Sequence, residues 1–544
     1  MISWVFKIVG AFFSVLAVMA IGIIVYQSFL GGPFYEKGLV FTISSYVSTF
    51  RDSDFYRAFT GSLVIGLLTL LALPIALFAA IAVHKIGIYG ARVIEPILII
   101  PMFISPIIWG FAWLYSYGPA GMFPSLWGDI YGLIPTGIIS ALVHVPNAYV
   151  ILSTSILGID SSYEEVARSH GARALLVIAR VVLPMIRPSI VFSAILLFIL
   201  GMEQFGIPLL LYSSVGGLVL TTYIYQQQVL SIAPNYPKEA VAASILIYTA
   251  ISLLILQRYL AMRLSRRYAV IGSRVRSIGR IAVSPLWRGV ATAAILVFMV
   301  FTIIIPLLSL IIRSLNPLYG GRGGYSLDYY VTILSSEYHR GIIMNTLEIA
   351  FIAASLGTLA CIGFSLSIMR SGNVLESRLF DIASTLPRAM PGIVMGLAFL
   401  WLYLFTPLRP ILYTPLGIAL AHITAWSIMG TRVLASSIGQ ISPELEEVAR
   451  VHGSSVSITL RRVVLPLVKR AILISWLVMF IYSIRDYSIA TLLVLPQTMI
   501  VGAFLIMSYG SGEIGIVTAL SSLLVMIILA ITTVIFKLGW KPYG

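Results

Sequence analysis

Charge is what this sequence has least of. Only 10% of its 544 residues are Asp, Glu, Lys or Arg, whereas a soluble domain carries about 25%. Cysteine is nearly absent too. The single thiol, Cys361, excludes a disulfide within one chain and a cysteine metal cluster. No G-x4-G-K-[ST] stretch occurs, so the chain lacks that device for binding ATP. No H-E-x-x-H occurs either, which argues against an intramembrane metalloenzyme. The six histidines, His84, His144, His170, His339, His422 and His452, form no cluster at metal-ligand spacing, and no resident metal or other cofactor is expected.

Apolar residues fill the space that charge leaves. The chain is 59% hydrophobic with a mean hydropathy of +1.01. Runs of about 18 or more apolar residues, each able to cross a hydrocarbon core of about 30 Å, recur along its whole length. In the first half they are Ile8–Leu30, Phe59–Val83, Ile94–Tyr115, Leu133–Ile156, Ile190–Leu211 and Ala240–Ile255. In the second they are Val290–Ile312, Ile342–Ile368, Gly392–Phe405, Ile411–Ile428, Ala471–Leu495 and Ile514–Phe536; Gly392–Phe405 is short, but Met390, Ala389 and the preceding turn can extend it. The expectation is an all-α integral membrane protein of about twelve spans. Ile8–Leu30 after Lys7 has the makings of a signal peptide, but it is long enough to stay as an anchor.

The net charge of +15 reports topology rather than a nucleic-acid partner. With Met1 in the cytoplasm, about 26 of the 35 Lys and Arg fall in cytoplasmic segments, about 8 outside, and Arg485 within a span. That asymmetry is the positive-inside pattern, and it places both termini in the cytoplasm of a multi-pass plasma-membrane protein.

The chain also repeats itself. Tyr163–Ile186 reads YEEVARSHGARALLVIARVVLPMI, and Leu445–Val468 reads LEEVARVHGSSVSITLRRVVLPLV, at a constant offset of 282. A fixed long offset means duplicated architecture. Each copy follows the fourth span of its half, and six spans per half give two parallel six-helix repeats. The predicted division is 1–262 (core about 57–258), a basic cytoplasmic linker at 263–285, and 286–544 (core about 341–536). The linker carries Arg263, Arg266, Arg267, Arg274, Arg276 and Arg280, suited to anionic headgroups. Long outer segments, Gly31–Tyr56 and Asn316–Arg340, follow the first span of each half; the Gly320–Gly324 cluster with Arg322 reads as a flexible tip.

Each repeated segment reads as two short helices around a glycine break. The first helix starts at Asp160 or Ser161, where Ser161 with Glu164 fits a capping box, and Ser442 with Pro443 fits a helix start. Gly171 and Gly453 suit a left-handed helix end. Glu164 with Arg168, and Glu446 with Arg450, stand four apart and support the helix. Leu183-Pro184 and Leu465-Pro466 mark the return into the membrane.

The pattern E-x-A-x3-G-x9-[IV]-x-L-P resembles the loop that marks the permeases of binding-protein-dependent ABC importers of type I. It matches at Glu165, Ala167, Gly171, Val181, Leu183 and Pro184, and again at Glu447, Ala449, Gly453, Val463, Leu465 and Pro466. Val166 and Val448 stand where the family has a small residue, a departure expected to loosen packing slightly. The resemblance covers nearly the whole chain. It implies a coupling helix that inserts into a separate ATP-hydrolysing subunit, with Glu164, Glu165, Glu446 and Glu447 in the docking region. It further implies two such ATPase subunits, which bind the ATP and magnesium, and an extracellular solute-binding protein. The chain itself would be a transport subunit and not an enzyme. Fused twelve-span permeases of this layout are similar to those for ferric iron, with thiamine a close relative. Ser483–Thr498, SIRDYSIATLLVLPQT, is loosely similar to the iron-type pattern. An ion-driven secondary transporter is the alternative, but it has no need of twin cytoplasmic helix pairs.

Two further constellations lie inside the apolar runs. The offset maps Glu203 onto Arg485 and Gln204 onto Asp486. Intramembrane charge usually lines a path or finds a partner, so these four are candidates for the translocation pathway or for an ion pair between the halves. Pro101 and Pro106 recur as Pro387 and Pro391 and predict bent spans.

Overall fold

The computed structural model describes residues 4–36, 40–124, 126–268, 280–316 and 324–538. Arg274, Arg276 and Arg322 lie outside the described residues, as do positions 320–323 of the glycine cluster. Among the described residues there is no strand; one isolated bridge joins Leu30 and Phe41.

The protein is built from apolar helices. Among the described residues, eight are long and apolar enough to cross a membrane: Val5–Ser28, Ser53–Ile86, Leu133–Leu157, Tyr236–Leu260, Pro285–Leu315, Glu337–Arg370, Pro415–Gly439 and Ile514–Lys537. Five helix pairs bent by more than 40° raise the total to at most 13. Four of these pairs fall where the sequence predicts a span. The fifth, Gly206–Val215 with Leu220–Leu230, begins within the last residues of the fifth predicted span and turns through 81°. Without it the order reproduces the twelve predicted crossings.

The paired prolines do more than kink. Ala91–Met102 meets Pro106–Tyr117 at 108°, and Val374–Ala389 meets Gly392–Leu404 at 105°. Pro101 and Pro387 sit in short 3-10 turns, while Pro106 begins the next helix and Pro391 caps it. A proline lacks the N–H that continues a helix but fits the first turn of a new one. One carbonyl at the break finds a side chain: the Trp109 indole donates to the Pro101 oxygen at 3.2 Å.

The chain forms two compact units that do not follow the sequence boundaries 1–262 and 286–544. One comprises Met1–Tyr56, Tyr223–Tyr248 and Ser326–Trp540; the other holds Arg57–Thr222 and Thr249–Tyr325. The first helix of each repeat is thus housed with the core of the other repeat. In the first unit, Lys7 pairs with Glu376 at 2.6 Å. A Cβ on Gly363 would lie 2.4 Å from the Phe6 carbonyl oxygen, so only glycine allows this backbone approach. In the second unit, the Tyr117 hydroxyl donates to the Phe301 carbonyl at 2.6 Å, and the Arg288 guanidinium lies 4.3 Å from the centre of the Tyr89 ring.

Candidate functional site

The two repeated segments fold alike. Ser161–Ser169 and Pro443–Val451 are single helices of 9 residues each. Of the two expected starts, Asp160 caps the first: its carboxylate accepts from the Ser162 N–H at 2.9 Å. Aspartate is an equally good cap, and using it moves Ser161 inside the helix. Ser442 caps the second as expected, with Pro443 in the first turn. Both helices end on a left-handed glycine, Gly171 at φ +83° and Gly453 at φ +81°. The Gly171 and Ala172 N–H groups return to the carbonyls of Arg168 and Ala167 at 2.8 and 3.1 Å. Gly453 and Ser454 return to Arg450 and Ala449 at 2.9 and 3.0 Å. These are Schellman closures that satisfy the last carbonyls. Even the histidines match: His170 Nδ1 and His452 Nδ1 each lie 2.9 Å from the carbonyl four residues back.

Each segment then runs through a π-helical turn, Ile178–Val182 and Leu460–Val464. Pro184 and Pro466 follow directly, and the ladder widens where their N–H is missing. The return into the long helices comes two residues later than the sequence predicts. The bend falls at Ile186 and Val468, through 69° and 74°.

The adjacent glutamates divide into two kinds. Glu165 and Glu447 are exposed. Glu164 is buried and pairs with Lys85 at 2.5 Å, the two side chains being 4% and 0% exposed. Glu446 accepts from Arg370 Nε at 2.7 Å. Arg370 also donates to the carbonyls of Ile438 and Ile441 at 3.0 and 2.8 Å. The expected pairing of Glu164 with Arg168 four residues on is therefore replaced by a partner from another helix, and both Glu164 and Glu446 turn back into their own unit. Lys85 lies at the end of Ser53–Ile86, and Arg370 at the end of Glu337–Arg370. Val166 and Val448 are 59% and 56% exposed, so they leave internal packing untouched. Leu175, Leu445 and Val451 are exposed on the same segments.

Glu203 and Arg485 occupy matching local positions. Each caps the C-terminal end of a 16-residue helix, Arg187–Met202 and Lys469–Ile484. Neither run continues as one helix through this point as the sequence predicts. Glu203 belongs to one compact unit and Arg485 to the other; the Arg485 guanidinium lies 4.4 Å from the centre of the Tyr482 ring. Beside them stand buried polar nodes that the sequence reading missed. Gln204 Nε2 lies 2.7 Å from His144 Nε2, and the Asn147 amide is 3.2 Å from His144 Nδ1. Asp486 Oδ2 lies 3.1 Å from His422 Nε2, whose Nδ1 is 2.7 Å from the Ser483 hydroxyl. Asp486 also accepts from the Ala490 N–H at 3.0 Å, starting the next short helix. Glu239 is a further deep carboxylate, fully buried in the first turn of Tyr236–Tyr268.

Sequence comparison places this arrangement. The model of the "binding-protein-dependent transport system inner membrane component" family matches twice, at residues 72–266 and 343–538. The ferric transport system permease protein FbpB of Actinobacillus pleuropneumoniae is 22% identical over 498 residues, 89% of this chain and 70% of that protein. The molybdenum transport system permease protein ModB of Mycobacterium tuberculosis is 28% identical over 197 residues, 35% of this chain and 71% of its own length. The putrescine transport system permease protein PotI of Escherichia coli K12 is 29% identical over 197 residues, covering 34% of this chain and 68% of its own. With two matches that together take in most of its length, the chain belongs to the binding-protein-dependent inner membrane permeases and is a permease subunit of an ABC importer.

Proposed function

We propose that this chain supplies both halves of the translocation pathway of an ATP-driven importer, and that its two Gly-closed helices each dock one ATPase subunit on the cytoplasmic side. The observation that carries this reading is the twin geometry. Two capped helices of equal length end on the same closure and offer the equivalent exposed glutamates Glu165 and Glu447 beside exposed apolar residues. A carboxylate near a helix N-terminus is favoured locally by only about 0.3–1 kcal/mol. Desolvated against a basic group of a partner, its loss costs roughly 2–5 kcal/mol.

One copy of the chain then suffices per complex, with two ATPase subunits, a solute-binding protein outside, and both termini in the cytoplasm. Ferric iron is the substrate we favour, on the long match to a ferric permease over both repeats. Thiamine or another small solute fits the same mechanism, and the molybdenum and putrescine relatives argue against reading selectivity from the permease alone. The test is co-purification of the co-encoded ATPase, with uptake of radiolabelled ferric iron into vesicles. Glu165→Ala and Glu447→Ala should each weaken docking, at least about 30-fold for a loss of about 2 kcal/mol, and the double variant should abolish uptake. Full docking and uptake by the double variant would remove the coupling role from these helices.

A further inference from the structure

The neighbouring glutamates of each segment face opposite ways. Glu165 and Glu447 are exposed, while Glu164 and Glu446 return to a cation at the end of a long helix. Lys85 stands in a π-helical turn, Ala82–Ile86, and its ammonium is fully buried against Glu164. Arg370 closes Glu337–Arg370 and grips Glu446, the Ile438 carbonyl near the end of the helix that precedes the segment, and the Ile441 carbonyl just beyond it. In each repeat one ion pair therefore ties the short helix to a helix that runs across the core. The cations are 285 residues apart and the glutamates 282, so the device recurs with the cation displaced by about one helical turn.

We propose that Lys85–Glu164 and Arg370–Glu446 are the mechanical anchors of the two docking helices, and that Lys85, Glu164, Arg370 and Glu446 are positioning residues for coupling rather than contacts to the ATPase. The proposal rests on the docking role of these helices argued above. A short helix on a Schellman turn and a π-helical turn is hinged at one end by backbone alone. A push on such a helix turns it about that hinge unless a second attachment carries the load. The ion pair is that attachment, and it leads straight into Ser53–Ile86 in one repeat and Glu337–Arg370 in the other. A rigid-body displacement of the docking helix then moves the long helix with it.

The first anchor is also tied to the chain between the repeats. The Ile281 N–H donates to the Lys85 carbonyl at 2.8 Å. The Arg280 side chain packs on Gly87, whose φ of +70° makes the turn directly after Lys85. The end of the linker thus helps to set the residue that holds the first docking helix.

The experiment uses the full chain with its co-encoded ATPase in lipid vesicles. Hydrolysis is read with and without the co-encoded binding protein, added both bare and with ferric iron, alongside co-purification of the ATPase. Glu164→Gln and Glu446→Gln keep side-chain shape and remove the charge. Each should retain the ATPase but lose the response of hydrolysis to the binding protein by about tenfold, within the usual range of a coupling between sites. Exchange of partners, Lys85→Glu with Glu164→Lys and Arg370→Glu with Glu446→Arg, should recover at least half of the response. Unchanged response in both glutamine variants, or no recovery in exchanged variants that still bind ATPase, overturns the proposal. If the buried pair's variants fail to accumulate, the more open Arg370–Glu446 pair decides it alone. Glu165→Ala with Glu447→Ala serves as the separate control. If that variant docks normally, the docking reading itself falls. If it fails to dock while the glutamine variants respond normally, only the anchors fall.

Discussion

The two repeated segments share a backbone and differ in how dry their ion pairs are. Lys85 and Glu164 are 0% and 4% exposed, and Arg370 and Glu446 are 15% and 13% exposed. A cavity of about 20 Å³, lined in part by Arg370, Glu446, Arg450 and Thr459, lies beside the second pair; that is room for one water. Arginine spreads its charge over a fork that also serves two carbonyls. Lysine presents a compact charge that needs its one partner. The same tie between segment and long helix is thus made once by a buried point-charge pair and once by a more open arginine network. The cost of breaking each should differ accordingly.

The sharpest way to expose that difference is to neutralise the glutamates one at a time. Glu164→Gln leaves the Lys85 ammonium buried without a counter-charge, which costs about 3–5 kcal/mol. Glu446→Gln leaves Arg370 with its two carbonyls and nearby solvent, so the loss should be nearer about 1–3 kcal/mol. Unfolding of the purified chain in mixed micelles measures both. Equal losses would mean that the difference in burial has no energetic consequence, and the comparison would lose its physical basis.

The intramembrane nodes offer a second contrast of the same kind. Asp486 holds His422 and starts a helix turn through the Ala490 N–H, while the neutral Gln204 meets His144. Hydrogen bonds to a charged group contribute about 1.5–3 kcal/mol and neutral ones about 0.5–1.5. Asp486→Asn should therefore destabilise by about 2 kcal/mol, and Gln204→Met by about 1. A larger loss at Gln204 than at Asp486 would reverse the order and point to a neutral network in both repeats.

Much of this architecture was legible because repetition is a sequence property. The offset of 282 brought out both segments, their glycines and the Glu203, Gln204, Arg485 and Asp486 positions. The anchors and histidines escaped it for a geometric reason. Arg370 stands three residues beyond the position equivalent to Lys85, and His422 four residues before that equivalent to His144. Each shift is about one helical turn, which keeps the side chain on the same face while breaking the register. Two differences from the sequence reading have a different origin. Glu164 with Arg168 satisfies a local spacing rule, but a buried cation from another helix offers a stronger partner than an exposed neighbour. The exchange of first helices depends on where a long connection delivers its helix, and apolar periodicity carries no such address.

The glycine closures test whether the two segments are the same device. Both glycines have positive φ within two degrees of each other, and neither has an atom within 4 Å of a would-be Cβ. Substitution is then opposed by backbone conformation alone. Gly171→Ala and Gly453→Ala should each cost about 1–2 kcal/mol, equally in both repeats, and thermal unfolding of the purified chain reads it. A cost confined to one repeat would show that only that segment depends on its turn.

The smallest expected difference lies at the opposite ends of these helices. Asp160 accepts from Ser162 at 2.9 Å, and its charge adds to the cap through the helix dipole. Ser442 accepts from Glu444 at 3.4 Å, a longer and neutral bond, and Pro443 already fixes the first turn without needing an acceptor. Asp160→Ala should destabilise its helix by about 1 kcal/mol and Ser442→Ala by about 0.5, both within the range for cap removal. Global unfolding is too coarse for effects of this size. Amide hydrogen exchange at residues 161–169 and 443–451 reads local opening directly. Asp160→Ala should speed exchange of the first helix about fivefold and Ser442→Ala should speed the second about twofold, following 1.4 kcal/mol per factor of ten. Faster exchange in the second helix than in the first would make proline a weaker stop than the aspartate cap, and the two helix starts would no longer rank as their hydrogen bonds do.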